Sequence, residues 1–435
     1  MRDPPLGRCL LDRRCSPSCM SDDAASPPDS SSSEAPLDRD AAPEGGALGE
    51  LARLFLKLGI VAFGGPAAHI AMMEDEVVSR RQWIDRQHFL DLVGATNLIP
   101  GPNSTEMTLH VGYARAGWPG LFVAGGCFLA PAVLITGGFA WLYVQYGTLP
   151  AVEPWLYGIK PAVIAVILGA VWKLGRSAVT SWRLGLIGTA VAAASFGVFS
   201  EIAALAIGGI VGMVWLRYTE EADPSTADRF LPILFLDTGG IARDSTTISA
   251  AGAAAAAGGV SLWKLGFFFL KVGSILYGSG YVLVAFLEGD LVQGYGWLTQ
   301  AELLDAVAIG QLTPGPVVST STFIGYLIDG VPGAVVATLG IFLPSFLFVL
   351  LLNPVVPRLR ESAWTAAFLD AVNVSAVGLM AAVTVKLGLA TLVSWPAWLI
   401  AGLATVLALG VRVNAAWLVV GAALLGRFLA PWAGF

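Results

Sequence analysis

NLIPGPNSTE, residues 97 to 106, lies between two apolar stretches and breaks the rules for a continuous membrane helix. Two prolines bracket a glycine, and Asn, Ser, Thr and Glu follow at once. Proline removes an amide donor and restricts the residue before it, while glycine opens dihedrals that other residues avoid, so the chain is expected to unwind here. The surroundings make that costly. The chain has 435 residues, 56% hydrophobic and only 13% charged, with mean hydropathy +0.71, against roughly 25% charged in soluble domains. An all-α polytopic membrane protein is the class that fits. A net charge of -6 belongs to tails and loops; no basic patch marks a nucleic-acid partner. Cys9, Cys15, Cys19 and Cys127 are too scattered for a disulfide framework.

The motif occurs twice. At an offset of 214 residues Phe55 meets Phe269, Lys57 meets Lys271, Gly64 meets Gly278, Glu74 meets Glu288 and Asp91 meets Asp305; Pro100-Gly101-Pro102 meets Pro314-Gly315-Pro316. After a one-residue deletion, an offset of 213 pairs Pro131 with Pro344 and Lys173-Leu174-Gly175 with Lys386-Leu387-Gly388. The chain is therefore two homologous repeats. Residues 1–46, rich in Ser, Pro, Asp and Ala, read as a disordered extension, 47–217 as the first transmembrane repeat, 218–260 as a charged linker and 261–435 as the second repeat.

Each repeat begins with two interrupted segments. One carries FGGP (Phe63 to Pro66) or YGSG (Tyr277 to Gly280), the other PGP, so broken or re-entrant helices are expected at all four places. Loop charge sets orientation, because Lys and Arg in short loops favour the cytoplasm. Arg80, Arg81 and Arg86 follow the first segment of repeat one, and the matching loop of repeat two has none; between the third and fourth segments the bias reverses, with Arg358 and Arg360 in repeat two. This suggests inverted topology, which requires an odd number of crossings before the second repeat. Inverted repeats broken at matching positions are the pattern of a secondary transporter with its substrate near the midplane, since irregular backbone is tolerated only where it lines a cavity or is buried in protein. Helix starts after PGP would aim free amides and positive dipole ends into that cavity, which suits an anion.

FGGP, ATNLIPGPNSTEM with HVGYARAGWPG, and GQLTPGPVVSTSTFIGYL with GIFLPSF resemble the chromate transporter (CHR) family in its long, two-domain form, over roughly residues 50 to 430. The resemblance implies efflux of chromate, a sulfate-like dianion, across the plasma membrane, and hence chromate resistance. The residues alone reach an anion-suited carrier. Sulfate or another anion, and an anion channel, stay open beside chromate. A membrane enzyme is disfavoured by the absence of HExxH, paired acids or a cofactor fingerprint. The expected partners are the oxyanion, the bilayer and, as an open alternative, a second copy of the chain; no cofactor or metal is expected.

The candidate substrate site gathers Gly64, Gly65 and Pro66, the aligned amides Asn97 and Gln311, which would donate to the oxyanion or satisfy carbonyls freed by the prolines, Pro100, Gly101 and Pro102, and Thr313, Pro314, Gly315 and Pro316. Asn103, Ser104, Thr105 and Ser319 would face substrate or cap the helices that follow. Lys57 and Lys271 would neutralise a dianion, or snorkel to the interface. Glu106, whose twin is Thr320, is the candidate proton carrier, with Arg115 or a backbone group as its structural alternative, and His69 is a second titrating candidate. Lys173 and Lys386 read as interface anchors, Asp91 and Asp305 as residues opening their helices; His88 and His110 receive no role.

Overall fold

A computed structural model describes residues 45–63, 65–147, 149, 152–196, 200–220, 260–277, 280–352, 362–411 and 413–433. The N-terminal extension up to residue 44, most of the linker, Gly64, Gly278, Ser279, Arg358 and Arg360 lie outside the described residues.

Repeat one comprises α1 (Gly45–Val61), α2 (Pro66–Glu74, continued by a π-helical turn over Asp75–Arg80), α3 (Arg86–Thr96), α4 (Asn103–Tyr146), α5 (Glu153–Ala178), α6 (Trp182–Ala194) and α7 (Glu201–Glu220). Repeat two runs through α8 (Leu262–Ile275), α9 (Leu283–Phe286, followed by a π-helical turn over Leu287–Gly294), α10 (Gln300–Leu312), α11 (Thr320–Leu352), α12 (Ala363–Thr391), α13 (Trp395–Val406) and α14 (Ala415–Leu429). Among the described residues six stretches are long and apolar enough to cross a membrane: Asn103–Tyr146, Glu153–Ala178, Glu201–Tyr218, Val317–Leu351, Ala363–Thr391 and Ala415–Trp432.

The first two segments of each repeat are hairpins rather than spans. Lys57 on α1 reaches Glu76 beyond α2 at 2.7 Å, which a continuous helix would hold some 28 Å away. Glu50 at the start of α1 pairs with Arg115 at 3.5 Å, and Arg81 and Arg115 both stack on Trp83. The outer ends of α1 to α3 and Arg115 therefore share one end of the molecule, the arginine face, while the breaks meet inside.

Past Arg115 the chain reverses within α4. Ala116 (φ -146, ψ 27) and Gly117 (φ 59, ψ -147) leave helical geometry, and Asp329 and Gly330 repeat those angles as φ -148, ψ 36 and φ 58, ψ -143. The positive φ suits glycine. The reversal sets Gly112 against the Gly120 carbonyl and Gly325 against that of Gly333, where a Cβ would collide. Residues 118–146, about 43 Å of helix, then cross to the opposite face. There Tyr143 donates to Asp305 of α10 at 2.8 Å, so α10 enters from the side opposite to α3 and the repeats run antiparallel. At the end of α7, Arg217 stacks on Trp364.

Phe55 and Phe128 with Phe269 and Phe323 fill the fully buried centre between the repeats. The later helices are exchanged: α6 and α7 pack on α12, and α13 and α14 on α5, through small residues that allow close approach. Gly188 meets Gly378, and Gly158 meets Gly426.

Candidate functional site

Proline and glycine act on the backbone first, and here they free amides and carbonyls that must find partners inside the protein. They find them in the other repeat. The Gly101 amide donates to the Leu276 carbonyl at 2.8 Å, and the Gly315 amide to the Ala62 carbonyl at 2.9 Å. Gly101 and Gly315 are twins, as are Ala62 and Leu276, so the two bonds are one contact made twice about an approximate two-fold axis. Both glycines adopt positive φ, 153° and 90°, and a Cβ would strike Glu106 and Ser345 at Gly101 and approach Ala132 at Gly315. Pro66, Pro102, Gly280 and Pro316 line one small space where the four interruptions converge.

Two larger cavities flank this junction. The first, about 680 Å³, is bounded by Asn97 and Asn103 from the first PGP break and by Lys173, Ser177 and Asn373. The second, about 760 Å³, is bounded by Gly65, Gln311, Thr313 and Gly315 together with Lys173 and Arg176. The Asn103 side-chain amide donates to Asn97 Oδ1 at 2.9 Å. Tyr281 donates to Gln311 Oε1 at 3.3 Å, which leaves the buried Gln311 Nε2 without a protein partner. Each cavity thus holds a side-chain amide from one PGP break, suited to an oxyanion.

Other expectations fare differently. The amides of the PGP glycines themselves are taken up by the cross-repeat bonds. No side-chain cap forms at Pro102 or Pro316, the residues that begin the next helical turns. Instead Ser104 accepts from Thr108 through its carbonyl at 2.9 Å, Thr136 donates to Ser319 Oγ at 3.3 Å, and Thr105 Oγ1 is buried without a partner. Pro100 and Pro314 are buried within their breaks. Lys57 and Lys271 stand apart from both cavities, donating to Glu76 at 2.7 Å and Asp290 at 2.8 Å. The Lys57 ammonium holds the Glu76 carboxyl below the usual carboxylate range. Asp305 does not cap its helix: Thr299 and Glu302 form a capping box there, and Asp305 is 2% exposed, facing Tyr143 and, at 3.8 Å, Lys160.

Glu106 is fully buried, and neither carboxylate oxygen has a hydrogen-bond partner. Arg115 is engaged with Glu50, which removes the expected structural partner. The Glu106 carboxylate and the unpartnered, buried Ser345 hydroxyl both border Gly101, and Tyr277 of the other repeat lies within electrostatic reach of the carboxylate. The twins of Glu106 and Ser345 are Thr320 and Ala132, so this couple occurs on one side of the two-fold only. His69 bonds the Ala62 carbonyl at 3.1 Å through Nε2, the same carbonyl that receives Gly315. Sequence reasoning missed Ser345, which becomes noticeable only beside Ala132, and His110, one turn beyond Glu106, 2% exposed with both ring nitrogens unpartnered.

Antiparallel helical repeats whose broken segments meet at an internal, polar-lined junction define a membrane transporter. The family model for the chromate transporter matches residues 49–213 and again 263–427. The chain is 32% identical over 391 residues to the chromate transport protein of Cupriavidus metallidurans, covering 88% of this chain and 94% of that one. It is 32% identical over 356 residues to a probable chromate transport protein of Synechococcus elongatus, 81% and 88% of the two chains, and 31% identical over 387 residues to the chromate transport protein of Pseudomonas aeruginosa, 87% and 91%. No solved structure matches. The chain belongs to the chromate transporter family.

Proposed function

We propose that this protein exports chromate from the cytoplasm across the plasma membrane as an ion-coupled secondary transporter, and so confers chromate resistance. The observation that carries the reading is the meeting of both PGP breaks beside two cavities, each offering amides from one break and both reached by a lysine. Asn97, Asn103, Gln311 and Thr313 bind the oxyanion, and the backbone of Gly65-Pro66, Gly101 and Gly315 shapes the junction. Lys57 and Lys271 hold the hairpins that present it. Glu106 carries the coupling proton: a buried carboxylate without a countercharge is held far more cheaply in its neutral form, and binding a proton is the change it can undergo.

The test is chromate and sulfate flux in vesicles of known orientation, with Asn97→Ala and Pro100→Ala beside the wild type. Saturable chromate movement that follows an imposed proton gradient and falls in both variants supports the reading. Sulfate carried in preference to chromate assigns the site to the other dianion, and conductance that scales with potential alone would make the protein a channel.

A further inference from the structure

Five residues line both cavities: Pro66, Ala67, Ala170, Lys173 and Tyr281. Lys173 is the one charged residue among them. Its repeat twin, Lys386, is engaged, donating to the Ser195 carbonyl at 2.9 Å and lying over the Phe196 ring at 5.8 Å. Lys57, Lys271 and Lys160 each face a carboxylate. Arg176, which borders only the second cavity, lies over Trp172 at 5.9 Å, and Asp370 borders only the first. Among the described residues no hydrogen bond or ion pair holds Lys173.

We propose that Lys173 supplies the positive charge that draws a divalent oxyanion into the junction and keeps it there as it passes from the Asn97–Asn103 cavity to the Gln311–Thr313 cavity. This rests on the oxyanion-carrier reading above and adds the residue that selects for charge. Amides orient an oxyanion but leave its charge uncompensated; Lys173 is exposed at the open cavities, where an ammonium supplies that charge at a screened but still favourable distance. A lysine suits the task because its ammonium sits on a flexible four-carbon stem. Placed where the cavities share a wall, it can follow the anion without a second cation. Repeat symmetry points the same way, since the matching lysine is consumed by a backbone carbonyl and only this one is left for a ligand. For a lysine that merely snorkelled to the lipid interface, replacement by glutamine would leave anion handling unchanged.

The experiment compares wild type, Lys173→Gln and Lys173→Arg in oriented vesicles, together with chromate binding by equilibrium dialysis of the purified proteins. The expected result is an apparent KM and a dissociation constant for chromate raised about tenfold or more in Lys173→Gln, a change equivalent to one charged contact. Discrimination between chromate and a monovalent oxyanion such as nitrate should narrow in Lys173→Gln, and Lys173→Arg should restore most of both. Wild-type thermal unfolding in the variants confirms that folding is unaffected. Wild-type KM, binding and discrimination in Lys173→Gln overturn the inference while leaving the transport reading standing. Chromate binding without flux in wild type defeats the transport reading, and dialysis then still decides on Lys173; no binding in wild type overturns both.

Discussion

The Gly101 amide donates to the Leu276 carbonyl at 2.8 Å, tying the PGP break of the first repeat to the end of α8 in the second. Its mirror, Gly315 to Ala62 at 2.9 Å, makes the junction a pair of backbone bonds. Both bonds need glycine, for φ and for space, but the two sites are not equally crowded. A Cβ at Gly101 would collide with the Glu106 and Ser345 side chains, whereas at Gly315 the nearest atom, Ala132 Cβ, stands 3.0 Å away. Gly101→Ala should therefore destabilise by about 2–4 kcal/mol, and Gly315→Ala by at least about 1 kcal/mol less. Thermal unfolding in detergent checks the ranking, and equal losses would contradict it.

The kink glycines offer a cleaner measurement of strain. Gly117 and Gly330 sit at φ +59 and +58 with no atom near the position a Cβ would take. Alanine at either should cost the left-handed penalty alone, about 1–2 kcal/mol, and the two losses should agree. A substantially larger loss at one of them would show a contact that breaks the repeat symmetry.

Glu106→Gln removes an ionisable group that has no partner to lose. Stability should hold or rise, by up to about 2 kcal/mol, because the cost of burying the carboxyl disappears. Flux should lose its pH dependence while chromate binding persists. An unchanged pH profile in vesicles would dismiss Glu106 as the proton carrier. Ser345→Ala, which strips the hydroxyl that borders Gly101 together with that carboxylate, should shift the profile without abolishing it.

At the arginine face, Glu76 gathers Lys57 at 2.7 Å, Arg81 at 3.4 Å and Arg80 at 3.7 Å, with its side chain 9% exposed. Its twin Asp290 has Lys271. Because the folded-state pKa of Glu76 is depressed, its stabilisation is present above the unfolded value of about 4.3 and is lost as pH falls through the folded value. Wild type should exceed Glu76→Gln in stability at pH 6, and the gap should close on acidification. A gap that stayed constant down to pH 3 would contradict the assignment.

Much of the architecture was readable without coordinates. The all-helical membrane class and the pairing of two repeats follow from composition and from counting along the chain. Loop arginines gave the antiparallel sense. The candidate site was legible in outline for the same reason, because Asn97 and Gln311 stand at matched distances from matched breaks.

Only the tertiary structure decided what depends on the neighbour across the two-fold. Whether a broken segment returns or crosses turns on Lys57 meeting Glu76, a contact that local sequence does not encode. Asp305 looked like a helix opener until Tyr143 and Lys160 of the other repeat came to face it, and Arg115 looked like a partner for Glu106 until Glu50 took it. Lys173 and Lys386 are equivalent in the sequence; one ends on a carbonyl and the other between two cavities. By itself the sequence determined the helical membrane class and the two repeats, because those are properties of composition and of residue order. The isolation of Glu106, the use of the PGP amides and the freedom of Lys173 were settled by the packing of one repeat on the other, because a buried polar group takes its character from whatever packing has left beside it.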